Sequence, residues 1–313
     1  MRIAVVASSV SLDALEPLLE EYRQRFILRI IETEGEVPEM PLLKQLAAHT
    51  DALLLVGARK RSPRTVLPGP LLRSGDDRWV PVGWLPDVGA AALRKFAEGA
   101  AHVHQRAVAQ ASQQVIAVLS QWHPKYLNLA HRIEGLLDQK GGEAAVMRWS
   151  ADQLIRDDLI QGLNCGLAAA FYVGHGRPVG WVGYHGTRAH HFQEANGHPL
   201  GVLFSLCCAT ASRKRTGLSF AEALPLMGKT AASFGAVEPT LHADNTRWAL
   251  GLCRAINQGD TTLGDVIVKA MPTSTTALSG YRILGDPLAP LVAVSDAYQQ
   301  AQRIGRYDEY LTA

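Results

Sequence analysis

Apolar and polar positions along the chain alternate between two periods. Residues 2–8 (RIAVVAS), 27–33 (ILRIIET) and 51–58 (DALLLVGA) are continuous apolar or β-branched runs of strand length. Residues 11–26 (SLDALEPLLEEYRQRF) and 39–50 (EMPLLKQLAAHT) carry apolar side chains at helical spacing, with Ser11 and Asp13 as capping candidates for the first. Residues 59–78, rich in Pro, Gly and charge, predict a long surface loop, and 79–87 (WVPVGWLPD) a short irregular stretch. Residues 88–113 predict a long helix with a break near Gly99, carrying the chain from one unit to the next.

The pattern then restarts. Strands are predicted over 114–121, 143–150, 166–176, 201–208 and 231–237. Helices are predicted over 126–141 (ending at glycine), 151–164 (capped by Ser150 or Asp152), 219–227, 245–257 and 261–271. Apolar strands alternating with helices predict an α/β fold, its mostly parallel sheet covered on both faces. The simplest division is an N-terminal α/β subdomain over 1–112 and a second α/β domain over 113–313.

Composition narrows the setting. The chain has 313 residues, 47% apolar and 19% charged, with a formal charge of +2, so neither nucleic acid nor an anionic membrane is an expected partner. Its four cysteines, Cys165, Cys207, Cys208 and Cys253, are too sparse for a disulfide scaffold and predict thiols in a reducing, cytoplasmic setting. No signal-peptide pattern opens the sequence, and no run approaches the length of a membrane helix.

Ligands of open α/β sheets bind beyond the carboxyl ends of the strands. Two strand ends there carry reactive side chains: AAAFYVGHG ends in His175 between Gly174 and Gly176, and GVLFSL runs into Cys207 and Cys208. Cysteine attacks as thiolate, and an imidazole nearby can take its proton. The N–H of Gly176 and that of the nucleophile are candidates for an oxyanion hole. His185, His190, His191 and His198 crowd one stretch without paired metal-ligand spacing, so no metal and no cofactor is expected. GHGRPVG, with Glu194 downstream, fails as a dinucleotide fingerprint because no helix can open at its Pro and Gly residues.

These motifs resemble the caspase-like fold of clan CD cysteine peptidases, more narrowly the gingipain-type peptidases and the related CHAT-domain proteases. YVGHG matches the histidine motif, CCATASRKRTGLSFAEAL the segment around the nucleophile, and YRILGDPLAPL the closing segment with its Gly285-Asp286-Pro287. In the first half, ALLLVGA, the loop bearing Asp76 and Asp77, and VPVGWLPDVGAAALRKF are similar to the gingipain-type N-terminal subdomain, with Trp84 where that pattern has arginine.

The resemblance implies a three-layer αβα sandwich, with residues 1–112 non-catalytic and 113–313 catalytic. It implies a cysteine endopeptidase working through a Cys–His dyad and a thioester. The family pattern of small residue, Cys, any residue, Thr or Asn, then Gly makes Cys208 the nucleophile with Thr210 in the Thr position; Cys207 is the alternative. Ala211 replaces the glycine, a residue that resists positive φ. Cleavage after a basic residue would use Glu238 and Asp244 as substrate-binding carboxylates. Arg213-Lys214-Arg215 is expected to be a solvated loop, with self-processing as the sharper alternative. The expected partners are a protein or peptide substrate and a regulatory protein. The competing reading is an inactive caspase-like module that binds other proteins.

Overall fold

The computed structural model describes residues 1–58, 69–109, 114–138, 144–272 and 275–305. The first half contains β1 (Arg2–Ala7), α1 (Ser9–Arg25), β2 (Ile27–Glu32), α2 (Met40–His49), β3 (Ala52–Val56), β4 (Leu71–Arg73), β5 (Trp79–Leu85) and α3 (Ala90–Ala109). There follow β6 (Gln114–Ser120), α4 (Pro124–Leu137), β7 (Ala144–Trp149), α5 (Arg156–Leu163), β8 (Ala169–Val173), the hairpin strands β9 (Gly176–Arg177) and β10 (Gly180–Trp181), and the single turn α6 (Gly183–Gly186). The chain continues through β11 (Leu200–Leu206), α7 (Phe220–Leu226), β12 (Thr230–Ala236), α8 (His242–Asn257), α9 (Leu263–Ala270), α10 (Thr275–Ser279), β13 (Tyr281–Gly285) and α11 (Ala297–Gly305).

Among the described residues one 11-stranded sheet runs β2-β1-β3-β5-β13-β12-β11-β8-β6-β7, with β4 alongside β5. It is mostly parallel; β13 is antiparallel to β12, and β4 to β5. Because β13 also pairs in parallel with β5, the sheet passes without interruption between the two units expected from the sequence. The division near residue 112 lies outside the described residues.

Side-chain alternation fills both faces. In β6, Ile116 and Val118 join the core under α4 and α8, while Val115, Ala117 and Leu119 join the core on the opposite face, with α5 and α7. In β8 the split is Phe171 and Val173 against Ala170 and Tyr172, and in β11 Phe204 and Leu206 against Leu203. This two-sided burial is why these strands are apolar at every position.

Several expectations are corrected. The stretch 79–87 is not irregular: β5 is a central strand, buried from Val80 to Leu85. Pro81 is tolerated because β4 lies beside it at Leu71 and Val82 N–H donates to Pro70 O at 2.9 Å. The predicted loop 59–78 therefore contains a strand; its residues 59–68 lie outside the described residues. Gly99 does not break α3, where it lets the helix approach Gly228 closely. Helix α1 is capped by Ser8 rather than Ser11 or Asp13, and α5 starts at Arg156 with Ile155 at its cap position and no side-chain cap. Asp152 instead accepts from the N–H groups of Trp122 and Tyr184.

Gly83 shows how tightly β5 and β13 are joined. A Cβ there would lie 2.7 Å from Pro287 Cδ and press on the carbonyl of Gly285. Gly83→Ala is expected to lower stability by roughly 1–3 kcal/mol, since neither backbone can yield cheaply. A urea denaturation midpoint equal to wild type would contradict this packing.

Candidate active site

Strands β8 and β11 are parallel neighbours, with Val173 opposite Leu206. His175 and Cys208 each lie two residues further on, so both follow their strands at the same level. Continuing the alternation, both fall in phase with Phe171, Val173, Phe204 and Leu206, on the α4 and α8 face. Cys207 falls out of phase and packs into the opposite core with no exposed surface.

The main chain around His175 is pinned. Its N–H donates to Gln121 Oε1 at 3.0 Å, and its carbonyl accepts from Tyr172 Oη at 3.0 Å and Val182 N–H at 2.9 Å. The exposed imidazole places Nε2 3.3 Å from Tyr126 Oη, with the rings edge to face at 5.4 Å. Partial burial, then Lys125 and His123, hold the His175 pKa below its usual 6.5. His242 packs against the same tyrosine at 6.0 Å and is likewise lowered, by burial and then Lys125.

Cys208 is half-buried and faces Thr240. The Thr240 N–H donates to Sγ at 3.4 Å, with Thr240 Oγ1 3.7 Å away. Thr240 is held by Asn245, whose Nδ2 donates to Oγ1 at 3.1 Å and whose Oδ1 accepts from Tyr281 Oη. Cys207 differs: burial, then the neighbouring Cys208, pushes its thiol far above the usual range.

Gly176 brings the two loops together. A Cβ there would meet Cys207 Sγ at 2.6 Å and press on the carbonyl of Cys208. The conformational doubt attached to Ala211 falls elsewhere. Ala209 takes the left-handed conformation (φ 57), while Ala211 N–H donates to Ala236 O at 2.8 Å.

The two carboxylates do not share one environment. Asp244 is largely buried in the first turn of α8 and bonded to Arg247 at 2.7 Å. Glu238 is exposed; its carbonyl accepts from Ala209 N–H at 3.1 Å, and it lines a cavity of about 410 Å³ with Trp84, Arg213 and Lys214. Arg213 is bonded through Nε to the buried Glu222 at 2.9 Å and stacks 5.1 Å over Trp84. Lys214 and Arg215 are exposed. The crowded histidines do not converge: His190 packs on His191, while His198 packs on His102. No group of three or more metal-ligating side chains is assembled among the described residues.

Tyr126, Thr240, Asn245 and Gln121 went unnoticed in the sequence. Their only signal is position, just after β6, after β12 or in the helix that follows.

The model of peptidase family C25 matches residues 51–292. No curated protein sequence matches the chain. Among solved structures, the Arg specific cysteine proteinase gingipain R superposes with a TM-score of 0.73 at 17% identity, covering 92% of this chain and 77% of that one. The complex of the Porphyromonas gingivalis RgpB pro- and mature domains gives 0.74 at 18%, covering 93% and 80%. The Saccharomyces cerevisiae separase–securin complex gives 0.51 at 13%, covering 77% of this chain and 16% of that one. These likenesses agree in the caspase-like α/β fold.

Proposed function

The chain belongs to peptidase family C25, a family of cysteine peptidases, and from that premise we propose that it hydrolyses peptide bonds through Cys208 and His175. The observation that carries this reading is the shared level and shared face of the two side chains at adjacent strand ends. In the tautomer whose Nε2–H donates to Tyr126 Oη, Nδ1 of His175 is left unprotonated and takes the thiol proton. The Cys208 sulfur attacks the substrate carbonyl, and the N–H groups of Gly176 and Cys208 stabilise the oxyanion. The proton on His175 passes to the leaving amine. Water then hydrolyses the thioester, losing its proton to the imidazole. His175 acts as a neutral base, since partial burial and then Lys125 oppose an imidazolium at rest.

A basic residue before the scissile bond would rest on Glu238 alone, because Asp244 is already paired with Arg247. The gingipain R relative is named as Arg specific, which supports testing arginine first. The test is a fluorogenic peptide library varied at that residue. Arg and Lys peptides are expected to lead, with Glu238→Gln lowering their kcat/KM about tenfold and sparing neutral peptides. A library led by neutral or acidic residues would remove the basic preference; a library without any hydrolysis would favour the inactive module. The four cysteines are unpaired thiols, in keeping with work in a reducing compartment. A regulatory protein partner is a further part of the proposal, since two structural relatives are complexes with a pro-domain or with securin.

A further inference from the structure

A second site lies at the other end of the sheet. A cavity of about 610 Å³ opens between α3 and the segments leading into β11 and β12, where Pro199 and Lys229 precede the strands. Lys95 and His102 of α3 and Lys229 line it. Behind its wall, His198 packs edge to face on His102 at 5.2 Å. Arg106 is 5% exposed; its Nη2 donates to Pro199 O at 2.6 Å and its Nη1 to Gly166 O at 3.4 Å.

Five basic side chains thus gather, with no free counter-charge among the described residues that line the cavity. The carboxylate on the cavity, Glu98, accepts from Arg94 at 3.0 Å. Arg106 Nε and His198 Nδ1 are buried and have no hydrogen-bond partner among the described residues. The groups also oppose one another. Burial and then Lys95 lower the Lys229 pKa; burial, then Arg106 and His198, lower that of His102. Burial pushes Arg106 down to about 10, and Cys165 beside it is pushed up to about 12, so it supplies no negative charge. A buried cation is normally paired, and one held by two carbonyls among like charges is poised for an anion.

We propose that this cavity binds a small molecule bearing two or more phosphoryl groups, held by Lys95, His102 and Lys229 and by the field of Arg106. More than one negative charge is needed to balance the cluster, and the volume suits a small ligand rather than a folded partner. Phosphoryl oxygens accept well from ammonium and imidazole donors. The proposal is independent of the peptidase reading, since none of these residues belongs to the Cys208 site.

The test is calorimetric titration of the full chain with sodium tripolyphosphate, orthophosphate and hexaglutamate. Tripolyphosphate is expected to bind saturably and more tightly than the other two. The double variant Lys95→Gln/His102→Gln, at two exposed positions, is expected to weaken it about tenfold or more, while Lys44→Gln on α2 leaves it unchanged. No saturable binding up to millimolar concentration, equal affinity in the double variant, or equal binding of hexaglutamate would overturn the proposal.

Discussion

Cys208→Ala is expected to abolish peptide hydrolysis, lowering kcat at least roughly ten-thousand-fold, with the fold intact. Cys207→Ala is expected to keep kcat within about tenfold and to cost about 1 kcal/mol of stability for a small buried void. The two thiols are adjacent in sequence and opposite in environment. Cys208 is half-buried and receives a hydrogen bond from Thr240 N–H, whereas Cys207 is fully buried with its thiol pushed far up. Steady-state kinetics on the two variants, with circular dichroism to check folding, separates them. If Cys207→Ala were the dead variant, the assignment of faces by alternation would be wrong.

The second large effect concerns stability. Asp286 has no exposed surface and accepts from Tyr22 Oη at 2.5 Å, His104 Nε2 at 2.7 Å and Leu288 N–H at 2.7 Å. Tyr22 lies on α1 and His104 on α3, so one carboxylate after β13 ties two N-terminal helices to the shared sheet. Asp286→Ala leaves three buried donors without an acceptor. A loss of roughly 3–5 kcal/mol is expected, out of a total typically about 5–15. For a chain of this size that is a fall in Tm of roughly 5–15 °C. A Tm within about 2 °C of wild type would mean these donors find other partners. The same contacts give the Gly285-Asp286-Pro287 motif a structural role: Gly285 and Pro287 close on Gly83, and Asp286 anchors the helices.

The regular strands were legible because both of their faces are buried, leaving continuous apolar runs such as 114–120 and 200–206. What escaped depended on long-range pairing. WVPVGWL looks irregular because Pro81 and Gly83 weaken a strand signal, yet its neighbours β3, β4 and β13 supply the missing order. The strand YRILG stands out in the sequence only as a closing motif; its place between β12, to which it is antiparallel, and β5, to which it is parallel, is set by residues far away in sequence.

At the site, His175 and Cys208 were visible as strand-end side chains. Their common face was also available, since counting by twos from Phe171 and Phe204 reaches both and skips Cys207. Tyr126 and Thr240 carried no such mark. A tyrosine in an amphipathic helix and a threonine in a loop become part of the site only when β6 and β12 are known to flank β8 and β11. Glu238 and Asp244 were singled out by charge, but charge in sequence does not reveal that Arg247 already occupies Asp244.

The most direct test of the dyad is the rate at which a peptidyl acyloxymethyl ketone labels each of the four thiols, read by mass spectrometry against pH. Cys208 alone is expected to react faster than a free thiol, and His175→Ala to slow it about a hundredfold or more. Because the His175 pKa lies below 6.5, reactivity is expected to hold through neutral pH and to fall only as acid protonates the imidazole below that value. Labelling of Cys208 no faster than a free thiol, at a rate unchanged in His175→Ala, would contradict the account.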